Sequence, residues 1–435
     1  MKLSLLLAVL VCATVSVVRA DEPTSTPQPN TAPSPILKDV TRDASPVAVP
    51  EPSEKAMRYY HSGNVLWCVG TLWWLLVPTL FLFTGFSARL RSWAERLGRK
   101  WYFAFAFYFV VFSVLCYLVN LPLNYYLGFV RQHSYDLSNQ TFDKWLGDSL
   151  KGLSVTLVIG LAAWWIPFLL IKKSPRRWWL YAGLLAVPFT CFMLLVRPVV
   201  IDPLFNKFQP LQDQALESKI LALAGRAGIE GGRVYEVNKS VDTKTVNAYV
   251  NGFMGTKRIV FWDTALRTLN EDELLVVMGH EMGHYVLGHV FQRIVLGAIG
   301  TFLALYAAYR LVGRIIGRFK ERFGFSTLSD FAALPLIILL SHLLSLAVTP
   351  AEMAFYRYQE HEADRFALEL THNNHAAATA FLKLQHHNLS NPRPGMVYTL
   401  WRSSHPSIGE RIDFCNSYRP WETGEPSRYD KYIKE

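Results

Sequence analysis

The stretch VVMGHEMGHYVLGHVFQRIVLGAIGTFLALYAAYRLVGRIIG, residues 276–317, joins a polar half to an apolar half without a break. The first half holds His280, Glu281, His284 and His289 among Val, Met and Gly. The second, residues 291–317, is apolar over a length that crosses a bilayer as a helix. An ordinary core helix has no use for three imidazoles and a carboxylate, because buried titratable groups are costly unless paired or bound to a metal. The stretch predicts a membrane helix with reactive chemistry beside it.

The rest of the 435-residue chain agrees. Its hydrophobic fraction of 51%, with 13 Trp and 27 Phe, suits a multi-pass membrane protein better than a soluble enzyme. Five further apolar stretches lie near 64–86, 102–127, 151–171, 178–196 and 331–349. Trp67, Trp73, Trp74, Trp164, Trp165, Trp178 and Trp179 gather near several of their ends, where indole rings prefer the interface.

The N-terminus, MKLSLLLAVLVCATVSVVRADEP, has a basic start, an apolar run and a small-residue site at Val18-Arg19-Ala20. The run is short for a membrane span, so residues 1–20 read as a signal peptide, with an uncleaved anchor as the alternative. Residues 21–56, rich in Pro, Ser and Thr, read as a disordered linker. Residues 57–200 then hold four spans. A soluble region over 201–420 is interrupted by the spans 291–317 and 331–349, and 421–435 is a C-terminal tail.

A formal charge of +10 raises nucleic acid or anionic lipid as partners, and the placement of the charge decides between them. Arg89, Arg91, Arg96, Arg99 and Lys100 follow the first span, and Lys172, Lys173, Arg176 and Arg177 follow the third. Arg310, Arg314, Arg318, Lys320 and Arg322 surround the turn after the fifth. Alternation of spans puts all three clusters on one side, which the positive-inside rule makes cytoplasmic. The basic balance is therefore topology, the partner is the lipid bilayer, and nucleic acid is excluded. Residues 197–290 and 350–435 fall on the opposite side, outside the inner membrane of a bacterium. Two spans separate them, so they can meet.

That meeting matters for the metal. His280 and His284 are four apart and share one helix face, so both imidazoles can reach one zinc ion. Glu281 points beside the metal, where it could take a proton from metal-activated water. This is the His-Glu-x-x-His spacing of zinc peptidases. Glu271, Asp272 and Glu273 supply an acidic first turn for the helix, and Gly283 is expected to leave room where metal or substrate approaches. The alternative is a helix with incidental surface histidines. No histidine stands six residues beyond His284, so the third ligand must come from elsewhere. YRYQEHEADRFALEL, residues 356–370, offers Glu360 for the metal and, on the same face, Asp364 to hold a ligating histidine. His361 and Glu362 point away and read as solvated. The cysteines form no Cys-x-x-Cys pair and carry neither metal nor catalysis on this reading.

With these pieces in place the chain resembles the type I CAAX prenyl proteases, membrane-embedded zinc metalloendopeptidases. The matching segments are HEMGH (280–284), EHEAD (360–364), VNAYVNGFMGTKRIVFWDTAL (246–266) and SSHPSIGERI (403–412). LPLNYYLGFVRQHSYDLSNQTFDKWLGDSLK (121–151) and IDPLFNKFQPL (201–211) match as well, so the resemblance runs over roughly 60–420. It implies a mostly α fold: a multi-pass helical barrel around a chamber, capped by a metalloprotease domain with a small β-sheet. It implies one Zn²⁺ per chain on His280, His284 and Glu360, with Glu281 as general base and Asp364 behind the ligands. His405 is expected to stabilise the oxyanion, and Asn247 and Arg411 to bind substrate. The substrate would be a peptide or protein, lipid-modified or inserted in the membrane.

The residues themselves agree in part. Residues 245–250 and 258–262 read as two strands, and a strand edge beside zinc can pair with an extended peptide. Read without the resemblance, Asn247 could equally be a turn cap and His405 an ordinary loop histidine. The chain also departs from the eukaryotic members, which begin with a membrane segment and face the cytosol. Two further functions stay open: a membrane-protein quality-control protease without prenyl specificity, and a non-catalytic zinc-binding membrane protein. The second is disfavoured because a carrier places its ligands within the spans.

Overall fold

The computed structural model describes residues 45–229, 233–251 and 258–434; the expected signal peptide and most of the linker lie outside them. Among the described residues six helices are long and apolar enough to cross a membrane. The first is α1 (Glu54–Phe83), followed by the short amphipathic α2 (Phe86–Gly98). The second, α3 (Trp101–Tyr125), runs on through a π-helical turn to Ser134. α4 (Phe142–Ala163) and α5 (Trp165–Lys173) make the third, and α6 (Trp178–Val196), extended to Leu204, the fourth.

A soluble portion follows: β1 (Phe208–Pro210), α7 (Gln214–Arg226), β2 (Arg233–Val237), β3 (Ala248–Asn251), β4 (Arg258–Trp262), α8 (Asp263–Thr268) and α9 (Glu271–Val286). The fifth and sixth membrane helices are α10 (His289–Phe323) and α11 (Leu334–Thr371). α12 (Asn374–His387), α13 (Met396–Trp401) and α14 (Ile408–Ser417) come last.

The helices outrun the apolar stretches that mark them. α11 continues to Thr371, far past residue 349. Lipid requires apolar side chains only across its own thickness, whereas helical hydrogen bonding has no reason to stop at the surface. At 1.5 Å per residue, the path from Leu334 to Glu360 is roughly 40 Å, more than a hydrocarbon core. Glu360 is thereby carried to the opposite side from the helix start. The three basic turns meet at that start: Arg91 donates to Asp330 (2.6 Å) and to the Gly324 carbonyl (3.2 Å). Leu82, Ile171, Trp178, Phe323 and Phe325 share one apolar cluster beneath them.

The soluble portion is built on a four-stranded sheet of order β1-β2-β4-β3, with β2 and β4 parallel and the other pairs antiparallel. β3 is an edge strand. α9 lies on this sheet through Leu274, Met278 and Met282, spaced four apart and buried together with Ile259 and Phe261. Met278 and Met282 are wholly buried, and each such burial contributes about 1.5–3 kcal/mol. His280 and His284, two residues on from each methionine, therefore face the other way, toward α11.

One segment departs from expectation. The linker is ordered at its C-terminal end: Val47 exchanges two 2.9 Å hydrogen bonds with Asn416, and Val47 and Val49, like Phe414 and Tyr418, pack against the buried cluster that holds Ile412 and Cys415. Its prolines and small polar residues have little apolar surface of their own, but α14 supplies the rest. The C-terminal tail is also docked, with Tyr429 buried against Phe366 and the Lys434 amide donating to the Arg226 carbonyl (2.7 Å).

Candidate active site

The site begins with a helix start. Asn270 caps α9 by accepting from the Glu273 amide, and Glu273 returns the bond to the Asn270 amide. Lys383 of α12 binds the same buried carboxylate (2.6 Å), which fixes where the helix begins and so where its histidines fall. Past the end of α9, Gly288 has a φ of +67°, which suits glycine and lets the chain turn into α10.

Gly279 and Gly283 set the distance to α11. A Cβ on Gly283 would lie 3.1 Å from the Phe366 Cβ and 3.2 Å from the Ala363 Cα. Gly283 thus serves helix contact rather than metal or substrate approach, a correction to the sequence reading. Because α11 comes so close, Glu360 reaches the two histidines.

The geometry is that of a metal site. His280 Nε2 and His284 Nε2 stand 3.2 Å apart, and Glu360 Oε2 lies 3.1 Å from the first and 3.3 Å from the second. Two ligands of tetrahedral zinc at about 2.0–2.1 Å are themselves roughly 3.3 Å apart, so the three donors occupy three corners of such a site. Two imidazole nitrogens turned toward each other and a carboxylate can hold a cation between them. The donor set fits zinc.

Each ligand is held from behind. His280 Nδ1 is 2.8 Å from Asp364 Oδ1. Arg411 grips Asp364 with Nε to Oδ2 (2.8 Å) and Nη2 to Oδ1 (2.5 Å), while its guanidinium lies 3.9 Å above the Phe381 ring. His284 Nδ1 is 2.7 Å from His289 Nδ1. Glu360 Oε1 accepts from Arg293 Nη2 (3.3 Å), whose Nε donates to Gln359 (2.6 Å). Burial works against a proton on His280, but Asp364 and Glu360 outweigh it and raise its pKa to about 10. The site thus attracts positive charge.

His289 and Arg293 went unassigned in the sequence. They lie four apart on the first turns of α10, so both face the ligands, and two polar residues on one face at the mouth of an apolar helix are the signal for them. Arg411, expected to bind substrate, lines the cleft but is buried, with its guanidinium on Asp364. Glu362, expected to be solvated, is buried under the docked C-terminus, where Tyr429 and Arg428 reach it. His361 lies against the Phe414 ring, centroids 4.4 Å apart.

Glu281 leaves the ligand face and accepts a 3.2 Å hydrogen bond from the Val250 amide on β3. Asn247 is exposed just before that strand, its Oδ1 accepting from the Ala248 amide (2.9 Å). His405 puts Nε2 3.1 Å from Glu360 Oε2, and Ser404 Oγ is 3.0 Å from its Nδ1. His280, Glu281, Asn247 and His405 line one cleft of about 540 Å³. The structure brings the predicted residues together, with Asp364 and Arg411 deepest.

Comparison with known proteins meets this geometry. Residues 210–418 match Peptidase family M48, and residues 38–207 match the CAAX prenyl protease N-terminal region of five membrane helices. The metalloprotease YhfN of Bacillus subtilis (strain 168) is 40% identical over 85% of this chain and 87% of its own. The CAAX prenyl protease 1 homolog of Dictyostelium discoideum is 30% identical over 73% of this chain and 74% of its own. The crystal structure of S. mikatae Ste24p superposes with a TM-score of 0.74 at 25% identity, covering 82% of this chain and 87% of that one, and shares the membrane helical barrel. A metal triad, a carboxylate beside a strand edge and these likenesses have one reading: the chain belongs to peptidase family M48 and is a membrane-integrated metalloendopeptidase related to the CAAX prenyl proteases.

Proposed function

We propose that the enzyme uses one zinc ion per chain and hydrolyses peptide segments that reach it from the bilayer in extended form. The observation that carries this is the edge of β3. Among the described residues it pairs with β4 on one side only, and on the other its Val250 amide points at Glu281. An extended peptide laid along that edge passes the general base and the metal ligands together.

Bound on His280, His284 and Glu360, zinc would polarise the scissile carbonyl and acidify water. The chain's own residues do the rest. Glu281 takes the proton from the attacking water and hands it to the leaving amine. His405, beside Glu360, is in place to donate toward the oxygen on which charge develops. Asn247 and the β3 backbone hold the peptide. Asp364 with Arg411, His289 and Arg293 hold the ligands.

The basic turns bear on the site's side of the membrane. They cluster at one end, roughly 40 Å of helix from Glu360, and the ordered residues before α1 sit on α14 with the peptidase portion. This supports a site facing outward from a bacterial inner membrane. The side favours membrane-inserted or exported lipid-modified substrates over cytosolic prenylated ones, so quality-control proteolysis is the second reading.

The test is cleavage of a farnesylated C-terminal peptide and its unprenylated twin by detergent-purified protein, with Glu281→Gln as control. Cleavage of either that disappears in the variant supports the hydrolase, and preference between the twins assigns the substrate class. Equal turnover by wild type and Glu281→Gln sinks it.

A further inference from the structure

The chain reaches the β3 edge through residues 238–247, which lie outside the four-stranded sheet. Their backbone groups must still find partners. Several find them in the turn between the second and third spans. The Lys244 amide donates to the Leu137 carbonyl (3.0 Å), and the Asp242 carbonyl accepts from the Asn139 amide (3.3 Å) and from Ser138 Oγ (2.8 Å). Thr243 Oγ1 donates to the Leu137 carbonyl (2.9 Å), and Asn139 Nδ2 to the Ser240 carbonyl (3.0 Å). Ser138 and Thr243 form an isolated antiparallel bridge. Residues 137–139 thus act as a short extra strand laid against the peptidase portion.

An ionic cluster backs this contact. Lys144, in the first turn of α4, donates to Asp242 Oδ1 and to Asp148 Oδ2 (3.2 Å). Gln140 Nε2 joins the same two oxygens, at 2.8 Å from Asp148 and 3.5 Å from Asp242. Asn206 Nδ2 (2.7 Å) and Lys239 Nζ (3.3 Å) donate to Asp242 Oδ2. Asp148 is only 2% exposed, and Gln140 and Asn206 are buried. The cluster joins the two matched regions, with Gln140, Lys144, Asp148 and Asn206 in residues 38–207 and Lys239 and Asp242 in residues 210–418. None of these bonds involves α9 or α11, the helices that carry the metal ligands.

We infer, on the peptide path proposed above, that Lys144 and Asp242 are positioning residues for substrate. They lock the turn between the second and third spans onto residues 240–244. That lock sets the line on which Thr245, Val246 and Asn247, which line the cleft, lead into the β3 edge. Burying such ions is costly, and apolar packing would hold two elements together as well. What the charges add is register. A slip of one residue turns every side chain of an extended segment to its other face, and the Lys144–Asp242 contact is then lost. Neither residue lines the cleft, so peptide binding depends here on a membrane helix that stands outside the catalytic groups.

The experiment uses full-length protein in detergent, with the farnesylated C-terminal peptide and its unprenylated twin as substrates. Lys144→Met and Asp242→Asn should each raise KM about tenfold while kcat and zinc content stay near wild type, the mark of lost substrate binding. The double variant should be no worse than the poorer single one, because both changes remove the same contact. Lys144→Arg should recover part of the loss. Lys219→Gln, which breaks an exposed pair between α7 and Glu271, should leave KM as in wild type. Amide hydrogen exchange reads the same event without turnover: in Lys144→Met it should quicken over residues 240–250 and stay slow over α9. KM effects that add in the double variant, or zinc and kcat lost together in Lys144→Met, make the cluster general support for the fold and overturn the inference. So does exchange over residues 240–250 that matches wild type. No cleavage of either peptide by wild type, with Glu281→Gln indistinguishable from it, instead removes the peptidase reading and the positioning role with it.

Discussion

Arg411 and Asp364 meet through two hydrogen bonds of 2.8 and 2.5 Å, and both side chains are buried. The pair joins α14 to α11 and, through Asp364 Oδ1, orients His280 at 2.8 Å. Removing the cation leaves a buried carboxylate without its partner, a loss on the order of 3–5 kcal/mol. Arg411→Ala should therefore lower the thermal midpoint and the zinc content together, while Arg411→Lys retains charge but loses the fork. Metal analysis and thermal unfolding on both variants check this. Normal zinc content and midpoint in Arg411→Ala would return Arg411 to a substrate-binding role.

Gly283 and Gly279 make a graded pair. At Gly283 a Cβ would sit 3.1–3.2 Å from Phe366 and Ala363; at Gly279 the nearest atoms, on Ala367 and Thr371, are at 3.4 Å, closer to ordinary contact. Gly283→Val should push α11 away, cost about 1–3 kcal/mol and reduce zinc retention, because Glu360 moves with the helix. Gly279→Ala should be close to neutral. Equal behaviour of the two substitutions would contradict the helix-contact role.

Metal and thiol chemistry should separate cleanly. Burial pushes the Cys415 thiol far up, and the Asp364 charge adds to this, so Cys415 stays neutral from pH 7 to 9 where an exposed cysteine becomes thiolate. A maleimide should leave the Cys415 peptide unlabelled in native protein at both pH values and label it after denaturation. Activity should survive that reagent, vanish with a zinc chelator and return with added zinc. Inhibition by the maleimide alone, with Cys415 labelled, would contradict both the burial and the metal mechanism.

What the sequence made legible was whatever short-range periodicity encodes. The spans followed from apolar length, and Glu281 with His280 and His284 from i, i+4 spacing. Glu360 followed from needing a third ligand on a helix that the topology could bring near. Features that depend on how two distant helices pack were not legible. Gly283 could not be assigned to Ala363 without α11 in place, nor Arg411 to Asp364 without α14. Glu362 read as solvated because its cover comes from Tyr429, 67 residues away. The ordered end of the linker was hidden for the same reason: Val47 and Val49 acquire a partner only in Asn416 and its neighbours.

His289 carries the last prediction. Its Nδ1 lies 2.7 Å from His284 Nδ1, the nitrogen turned away from the metal position. For His284 to offer the Nε2 lone pair to a cation, its Nδ1 must hold the hydrogen, and His289 Nδ1 is the acceptor that keeps it there. Groups standing behind metal ligands are worth about 10–100-fold in metal affinity. His289→Ala should raise the zinc dissociation constant within that range, measured by competition with a chelator of known affinity, and kcat/KM should recover at saturating zinc. His289→Gln, which keeps an acceptor oxygen, should lose less. If His289→Ala binds zinc as tightly as wild type, His289 is packing and nothing more. If activity stays low at saturating zinc, it acts on the substrate instead.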